Sequence, residues 1–181
     1  MDYVTRWKTR FTKEPETIAW IKSLEPGVFW DVGANVGVYS WWAKKCGHVV
    51  TAFEPSRENV KVLRGLGVTV RDFALGNKRG VGRFVHRSCG ESGVVGVGED
   101  LVRVERGRDW GRCSYLKVDV DGGEVGVIEG MEMSGVREVL VEVNDLEVFR
   151  VMRDLGFVES IWWQGFKNRQ CDNVIWRKRW I

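Results

Sequence analysis

"FWDVGANVGVYSWWAKK", residues 29–45, is the stretch on which the fold turns. An apolar, strand-like segment runs into a knot of small residues and leaves it as a helix-like one. A glycine-rich turn between a strand and a helix opens a βα unit and lets a ligand approach the backbone closely. The glycines run G-x-N-x-G (Gly33, Asn35, Gly37) rather than G-x-G-x-x-G. Asn35 holds the middle place as the ordinary residue most tolerant of left-handed backbone angles. Glu54 ends the next apolar run, at about the 20-residue spacing expected of an acid that accepts hydrogen bonds from ribose hydroxyls.

Asp31 selects among nucleotide-like ligands. A carboxylate at the mouth of a pyrophosphate cradle repels the phosphates and opposes the helix N-terminus, which disfavours a dinucleotide oxidoreductase. The same carboxylate suits a ligand carrying an ammonium and a sulfonium, and S-adenosylmethionine has both together with a ribose for Glu54. A tight turn with a capping aspartate and no ligand is the plain structural alternative. The loop and Glu54 together argue against it.

Outward from this stretch, β-rich runs alternate with helical patterns. "KEPETIAWIKSL" (13–24) predicts a helix with Pro15 in its first turn and Ile18, Ile21 and Leu24 on one face. "GVFWDV" predicts a strand and "VGVYSWWAKKC" a helix ended by Gly47. "HVVTAFEP" predicts a buried strand stopped by Pro55. "SRENVKVLRGLG" reads as a helix capped by Ser56, and "VTVRDFAL" as a third strand. Three β units separated by helices predict an α/β fold with a parallel, doubly wound sheet.

Residues 77–113, rich in glycine and arginine, read as strands and loops decorating that sheet. The rhythm resumes in "CSYLKVDVDGGEVGVIEGM" and "VREVLVEVNDLEVFRVMRDLG", and "FVESIWW" with "DNVIWRKRW" predicts a final antiparallel pair. The 181 residues fit a single domain over 1–181, with residues 1–27 as a basic N-terminal arm and helix.

Composition narrows the class. The chain is 44% hydrophobic and 29% charged, which predicts a globular protein with no membrane span. "MDYVTRWKTRFTK" lacks the apolar centre of a signal peptide, so a cytoplasmic location is expected. Cys46, Cys89, Cys113 and Cys171 form no C-x-x-C pair and predict buried thiols. The net charge of +3 demands no nucleic acid, although aromatics and cations interleave in "RWKTRFTK" (6–13) and "WRKRW" (176–180). Such segments hold single strands by stacking and phosphate pairing, or form a solvated basic face whose tryptophans pack inward, and the second reading is favoured.

"DVGANVGVYS", "TAFEPSRENVKVL", "FALGN", "LKVDVDGGEVGVIEGM" and "VLVEVN", in that order, resemble the FkbM family of S-adenosylmethionine-dependent methyltransferases. The similarity covers about residues 28–145, and "LKVDVDGGE" narrows it from Rossmann-like methyltransferases at large. Asp121 stands where that family usually has glutamate. The resemblance implies a seven-stranded, mostly parallel sheet with one antiparallel strand, helices on both faces, and the cofactor at the C-terminal strand ends. It further implies that Asp31, Gly33, Asn35 and Gly37 border the methionine portion, Glu54 the ribose, and Asp72 with Phe73 the adenine.

The acceptor side is expected in "KVDVDGGE" and "EVN". Lys117, Asp119 and Asp121 alternate and share one face if the strand stays regular. Asp119, at the strand end, suits a carboxylate that orients or deprotonates an acceptor hydroxyl. Asp121 is read equally as catalytic or, with Glu124, as a capping box. Glu142 and Asn144 end the neighbouring strand. With Asp119 they offer oxygen ligands to magnesium, but no metal is favoured, because spacing fixes no two ligands. The sequence has no D/N-P-P-Y segment after its fourth strand, no Pro-Cys pair, and no second lysine in "VLVEVN". An O-methyltransferase acting on a sugar, glycan or small hydroxylated metabolite therefore leads. An RNA or RNA-cap methyltransferase follows, and a non-catalytic cofactor-binding scaffold is the rival of another class.

Overall fold

The computed structural model describes residues 14–84, 100–163 and 172–179. The N-terminal basic run, His86, Cys89 and Cys171 lie outside them, as do the side chains of Trp162 and Trp163. Strands β1 (Val28–Val32), β2 (Val49–Phe53), β3 (Thr69–Arg71), β7 (Tyr115–Val118), β8 (Glu138–Val143), β9 (Phe157–Trp163) and β10 (Asp172–Lys178) form one seven-stranded sheet. Its order is β3-β2-β1-β7-β8-β10-β9. β10 runs antiparallel to both neighbours, and the pairings among the first five strands in that order are parallel. The order of strand addition reverses between the parallel neighbours β1 and β7, and such a switch point opens a crevice at the C-terminal strand ends.

Strand alternation divides the core between the two faces. Phe29, Val50, Tyr115, Leu140 and Ile175 pack with helices α1 (Pro15–Ser23) and α2 (Val38–Lys45) on one face. Trp30, Phe53, Leu116, Val141 and Trp176 pack with α4 (Glu124–Gly130) and α5 (Glu147–Asp154) on the other. Helix α3 (Arg57–Arg64) lays Leu63 against Ala52 and Ala34. Ser56 caps it as expected, its hydroxyl accepting from the Asn59 N–H at 3.4 Å. Burial pushes the Cys113 thiol up to about 12, in keeping with an inert core cysteine. Among the described residues no helix is long and apolar enough to cross a membrane.

Two expectations change. "VTVRDFAL" is not one strand: β3 ends at Arg71, and Ala74–Leu75 forms β4 in a different sheet. With β5 (Gly80–Phe84) and β6 (Asp100–Glu105) it makes a three-stranded sheet in the order β4-β6-β5, which is the form the decorating segment takes. The capping box at Asp121 is also absent. Helix α4 starts from Gly123 without a side-chain cap, and Glu124 Oε1 accepts instead from the Gly122 N–H and the Asn144 amide, both at 2.9 Å.

His48, entering β2, is buried against the rings of Phe29 and Tyr115, whose centroids lie 5.7 and 5.5 Å from its own. Burial lowers its pKa below the ordinary 6.5, against a weak opposing pull from the Gly27 and Ile21 carbonyls. The unfolded chain therefore takes up the proton first. The contribution of a neutral His48 is complete above about pH 6.5 and is lost as the pH falls from there through the folded value. The melting temperature of the wild type should drop over that window. His48→Phe should flatten the drop, and an unchanged pH slope in the variant would refute the assignment.

Candidate functional site

The turn after β1 is held open by backbone geometry. Gly33, Asn35 and Gly37 all have positive φ, at 76°, 53° and 84°. A Cβ on Gly33 would stand 1.8 Å from the Asp119 carbonyl oxygen, so no other residue fits where this turn touches the end of β7. Every N–H from Gly33 to Gly37 donates within the chain. Gly33 and Ala34 donate to the Phe53 carbonyl at 3.0 and 3.1 Å, and Asn35 donates to Glu54 Oε2 at 2.8 Å. Val36 donates to the Asn35 side chain and Gly37 to the Ala34 carbonyl, both at 2.8 Å. A phosphate cradle works by pointing unused N–H groups at the ligand. This loop spends its own.

Glu54 is buried at the end of β2, its two oxygens accepting from the Asn35 and Ser56 N–H groups at 2.8 Å each. Burial raises its pKa above the ordinary 4.5, opposed by the Ser56, Asn35 and Asn59 donors. Beside it opens a pocket lined by Val32, Gly33, Phe53, Glu54, Ala74, Leu75 and Phe84, among others. Asp72 and Phe73, expected at its adenine end, are not in its wall. Asp72 is 63% exposed and pairs with Arg64 at 3.3 Å. Phe73 is a core residue whose ring meets Trp110 at 4.7 Å and Phe53 at 5.9 Å, with the Arg103 guanidinium 5.0 Å from its centroid. Phe84, in the segment read from the sequence only as decorating strands and loops, also lines this pocket.

On the α1/α2 face, sheet register brings Asp31 and Lys117 opposite each other. Both are buried, with Nζ 3.6 Å from Asp31 Oδ1 and 3.0 Å from Asp119 Oδ2. Ser40 donates to Asp31 Oδ2 at 2.7 Å. Asp31, expected to meet a cationic ligand, thus meets a cation of the chain itself. Burial alone would lower the Lys117 pKa, but Asp119, Asp31 and Glu14 carry it above the ordinary lysine value, so this side chain is a fixed cation and not a base. The Tyr39 ring lies 4.8 Å from the same ammonium, and its hydroxyl donates to Glu14 Oε2 at 2.6 Å. Burial and Glu14 raise the Tyr39 pKa well above 10.0.

Asp119 and Glu142 each follow directly on the last β7–β8 pair, Val118 and Val141. The strand stops at Val118, so Asp121 does not prolong its face. A positive φ of 52° turns it back, and one oxygen each of Asp119, Asp121 and Glu142 gathers within 4.8 Å of the others. The Asn144 amide donates to Glu124 Oε1 at 2.9 Å. Three carboxylates at this spacing are a donor set for a hard cation or for an acceptor rich in hydroxyl donors. At the C-terminal basic run Trp176 is fully buried, so its ring is not offered to a base.

No family model matches the sequence, and no curated protein does. Solved structures do resemble it. Magnesium protoporphyrin IX methyltransferase from Synechocystis PCC 6803, solved with bound S-adenosylmethionine, aligns with a TM-score of 0.59 at 12% identity, over 97% of this chain and 91% of its own. A ribosomal protein methylase from Lactobacillus delbrueckii subsp. bulgaricus aligns with a TM-score of 0.58 at 11% identity, over 91% and 78%. A precorrin methyltransferase from Geobacter metallireducens aligns with a TM-score of 0.54 at 14% identity, over 95% and 88%. The chain has the Rossmann-like methyltransferase fold.

Proposed function

We propose that this protein is an S-adenosylmethionine-dependent methyltransferase that methylates an oxygen of a sugar or small hydroxylated metabolite, as its resemblance to the FkbM family suggests. The observation that carries the cofactor reading is the loop itself. It keeps no unused N–H from Gly33 to Gly37 for a pyrophosphate. Glu54 and the pocket beside it suit a nucleoside without phosphates. In this reading Gly33, Asn35 and Gly37 border the methionine portion and Glu54 binds the ribose. Asp31 acts through Lys117 rather than by touching the ligand. Bound there, the cofactor supplies an electrophilic methyl group.

The chain's own residues supply the rest. Asp119, its side chain 22% exposed, reaches the crevice while Lys117 fixes one of its oxygens. It is the carboxylate that orients the acceptor hydroxyl and takes its proton. Asp121 and Glu142 hold neighbouring hydroxyls in place. The gathered carboxylates favour an enzyme over a scaffold, since a scaffold has no use for them.

Calorimetry with S-adenosylhomocysteine and NAD tests the reading, and tighter NAD binding would overturn it. Glu54→Ala should cost S-adenosylhomocysteine about 2–4 kcal/mol of binding through lost charge-assisted hydrogen bonds. Unaltered affinity would place the ribose elsewhere.

A further inference from the structure

Glu14 opens helix α1 in a strained conformation. Its φ of 48° and ψ of 65° are left-handed, which ordinary residues avoid. Pro15 follows directly, and a proline drives the residue before it toward extended angles. The Glu14 side chain caps no helical N–H. Strain of this kind persists where the surroundings over-determine it, and it gathers at functional sites. The surroundings of Glu14 are the charged centre behind Asp119. The residue is 9% exposed, and its Oε2 accepts from the Tyr39 hydroxyl at 2.6 Å.

Lys117 is the hub of that centre. Its ammonium stands 3.6 Å from Asp31 Oδ1 in the interior and 3.0 Å from Asp119 Oδ2 nearer the rim. A flexible four-carbon stem lets a lysine favour either partner, so its neighbours decide where the charge sits. The Tyr39 ring lies 4.8 Å from Nζ, close enough for its face to attract the ammonium. Glu14 holds the hydroxyl end of the same ring and adds its own field at Lys117. Asp31 alone balances one ammonium, so neutrality of the interior does not call for Glu14 as well. Control of position does.

We propose that Glu14 and Tyr39 are positioning residues for methyl transfer, holding the Lys117 ammonium against Asp119 and so fixing the carboxylate that meets the acceptor. Both act through Lys117. The inference rests on the function proposed above and makes α1 part of the acceptor-side machinery as well as a cover for the sheet.

The test compares the full-length wild type with Tyr39→Leu, Tyr39→Phe, Glu14→Ala and Glu14→Gln. Ile18→Val, in the core-facing stripe of α1, controls for loosened packing of that helix. One readout is methyl transfer to a panel of sugars and hydroxylated metabolites, with kcat separated from the KM for S-adenosylmethionine. The other is nitrogen NMR of isotopically labelled lysines in the ligand-free protein, where a sealed ammonium exchanges its protons slowly with water. Tyr39→Leu should lower kcat by about 10- to 100-fold, the scale of a misplaced catalytic group, and leave the cofactor KM within about three-fold. It should also shift the Lys117 resonance and speed its exchange. Tyr39→Phe keeps the ring, loses the Glu14 anchor and should fall between. Glu14→Gln still accepts from Tyr39 and should restore most of what Glu14→Ala loses. If Tyr39→Leu does not fold, the two Glu14 variants decide. Wild-type kcat in both Tyr39→Leu and Glu14→Ala, or an equal loss in Ile18→Val, overturns this role and leaves the cofactor reading intact. If the wild type binds S-adenosylhomocysteine but labels nothing, the resonance decides, and an unmoved signal in Tyr39→Leu overturns the role. A wild type that binds neither S-adenosylmethionine nor S-adenosylhomocysteine overturns the cofactor reading and this one with it.

Discussion

Lys117→Met is expected to destabilise the protein by about 3–5 kcal/mol, because it leaves the Asp31 carboxylate buried without its counter-charge. A loss of that size lowers the melting temperature by roughly 6–20 °C in a domain of this length. The cause is the stranded charge and not the missing methylene packing, since methionine nearly fills the lysine stem. Asp31→Asn combined with Lys117→Met should therefore recover more than half of the loss. Denaturant unfolding of the wild type, both single variants and the double variant closes the cycle. A cost below 1 kcal/mol for Lys117→Met alone would show that water reaches Asp31.

Asp119→Asn should fold normally and retain S-adenosylhomocysteine within a few-fold, while methyl transfer falls by about 100- to 10,000-fold. Asparagine keeps the shape and can still accept from Lys117, which retains Asp31 as its charged partner. What disappears is the anionic oxygen that orients the acceptor and receives its proton. Orientation matters because in-line transfer requires the acceptor oxygen about 3 Å from the methyl carbon. Labelled methyl transfer to a panel of glycans, hydroxylated metabolites and RNA provides the readout and chooses among acceptor classes. Full activity in Asp119→Asn would move the base to Asp121 or Glu142. A wild type that labels nothing in the panel would favour the scaffold.

Much of this architecture could be read along the chain because its causes are local. Ser56 caps its helix because a serine ahead of a helical run satisfies an orphan N–H, whatever lies elsewhere. Gly33, Asn35 and Gly37 announce their positive φ by residue type. The break in "VTVRDFAL" was not legible. The run has a continuous β pattern, and its division between two sheets is settled by distant partners, β2 upstream for Thr69–Arg71 and β6 downstream for Ala74–Leu75. The meeting of Asp31 and Lys117 was hidden for the same reason. Each looks like a site residue alone, and only the adjacency of β1 and β7 shows that they satisfy each other. Asp121 was left divided between cap and catalysis because D-G-G-E fits both; the conformation at Asp121 turns it toward Asp119 and Glu142.

The pairing of Asp31 with Lys117 also bears on how the chain finds its fold. β1 and β7 are central neighbours more than 80 residues apart in sequence, and such non-local parallel contacts form late and are prone to mispairing. The flanking residues of β7, Leu116 and Val118, would satisfy the apolar pattern in more than one alignment. A slip of one residue would drive the lysine into the opposite layer, among Trp30 and Val141 and away from Asp31. The buried pair thus penalises a misassembled sheet far more than it rewards the correct one. The sheet's centre carries its own check on alignment, made of the same lysine that steadies the carboxylate at its rim.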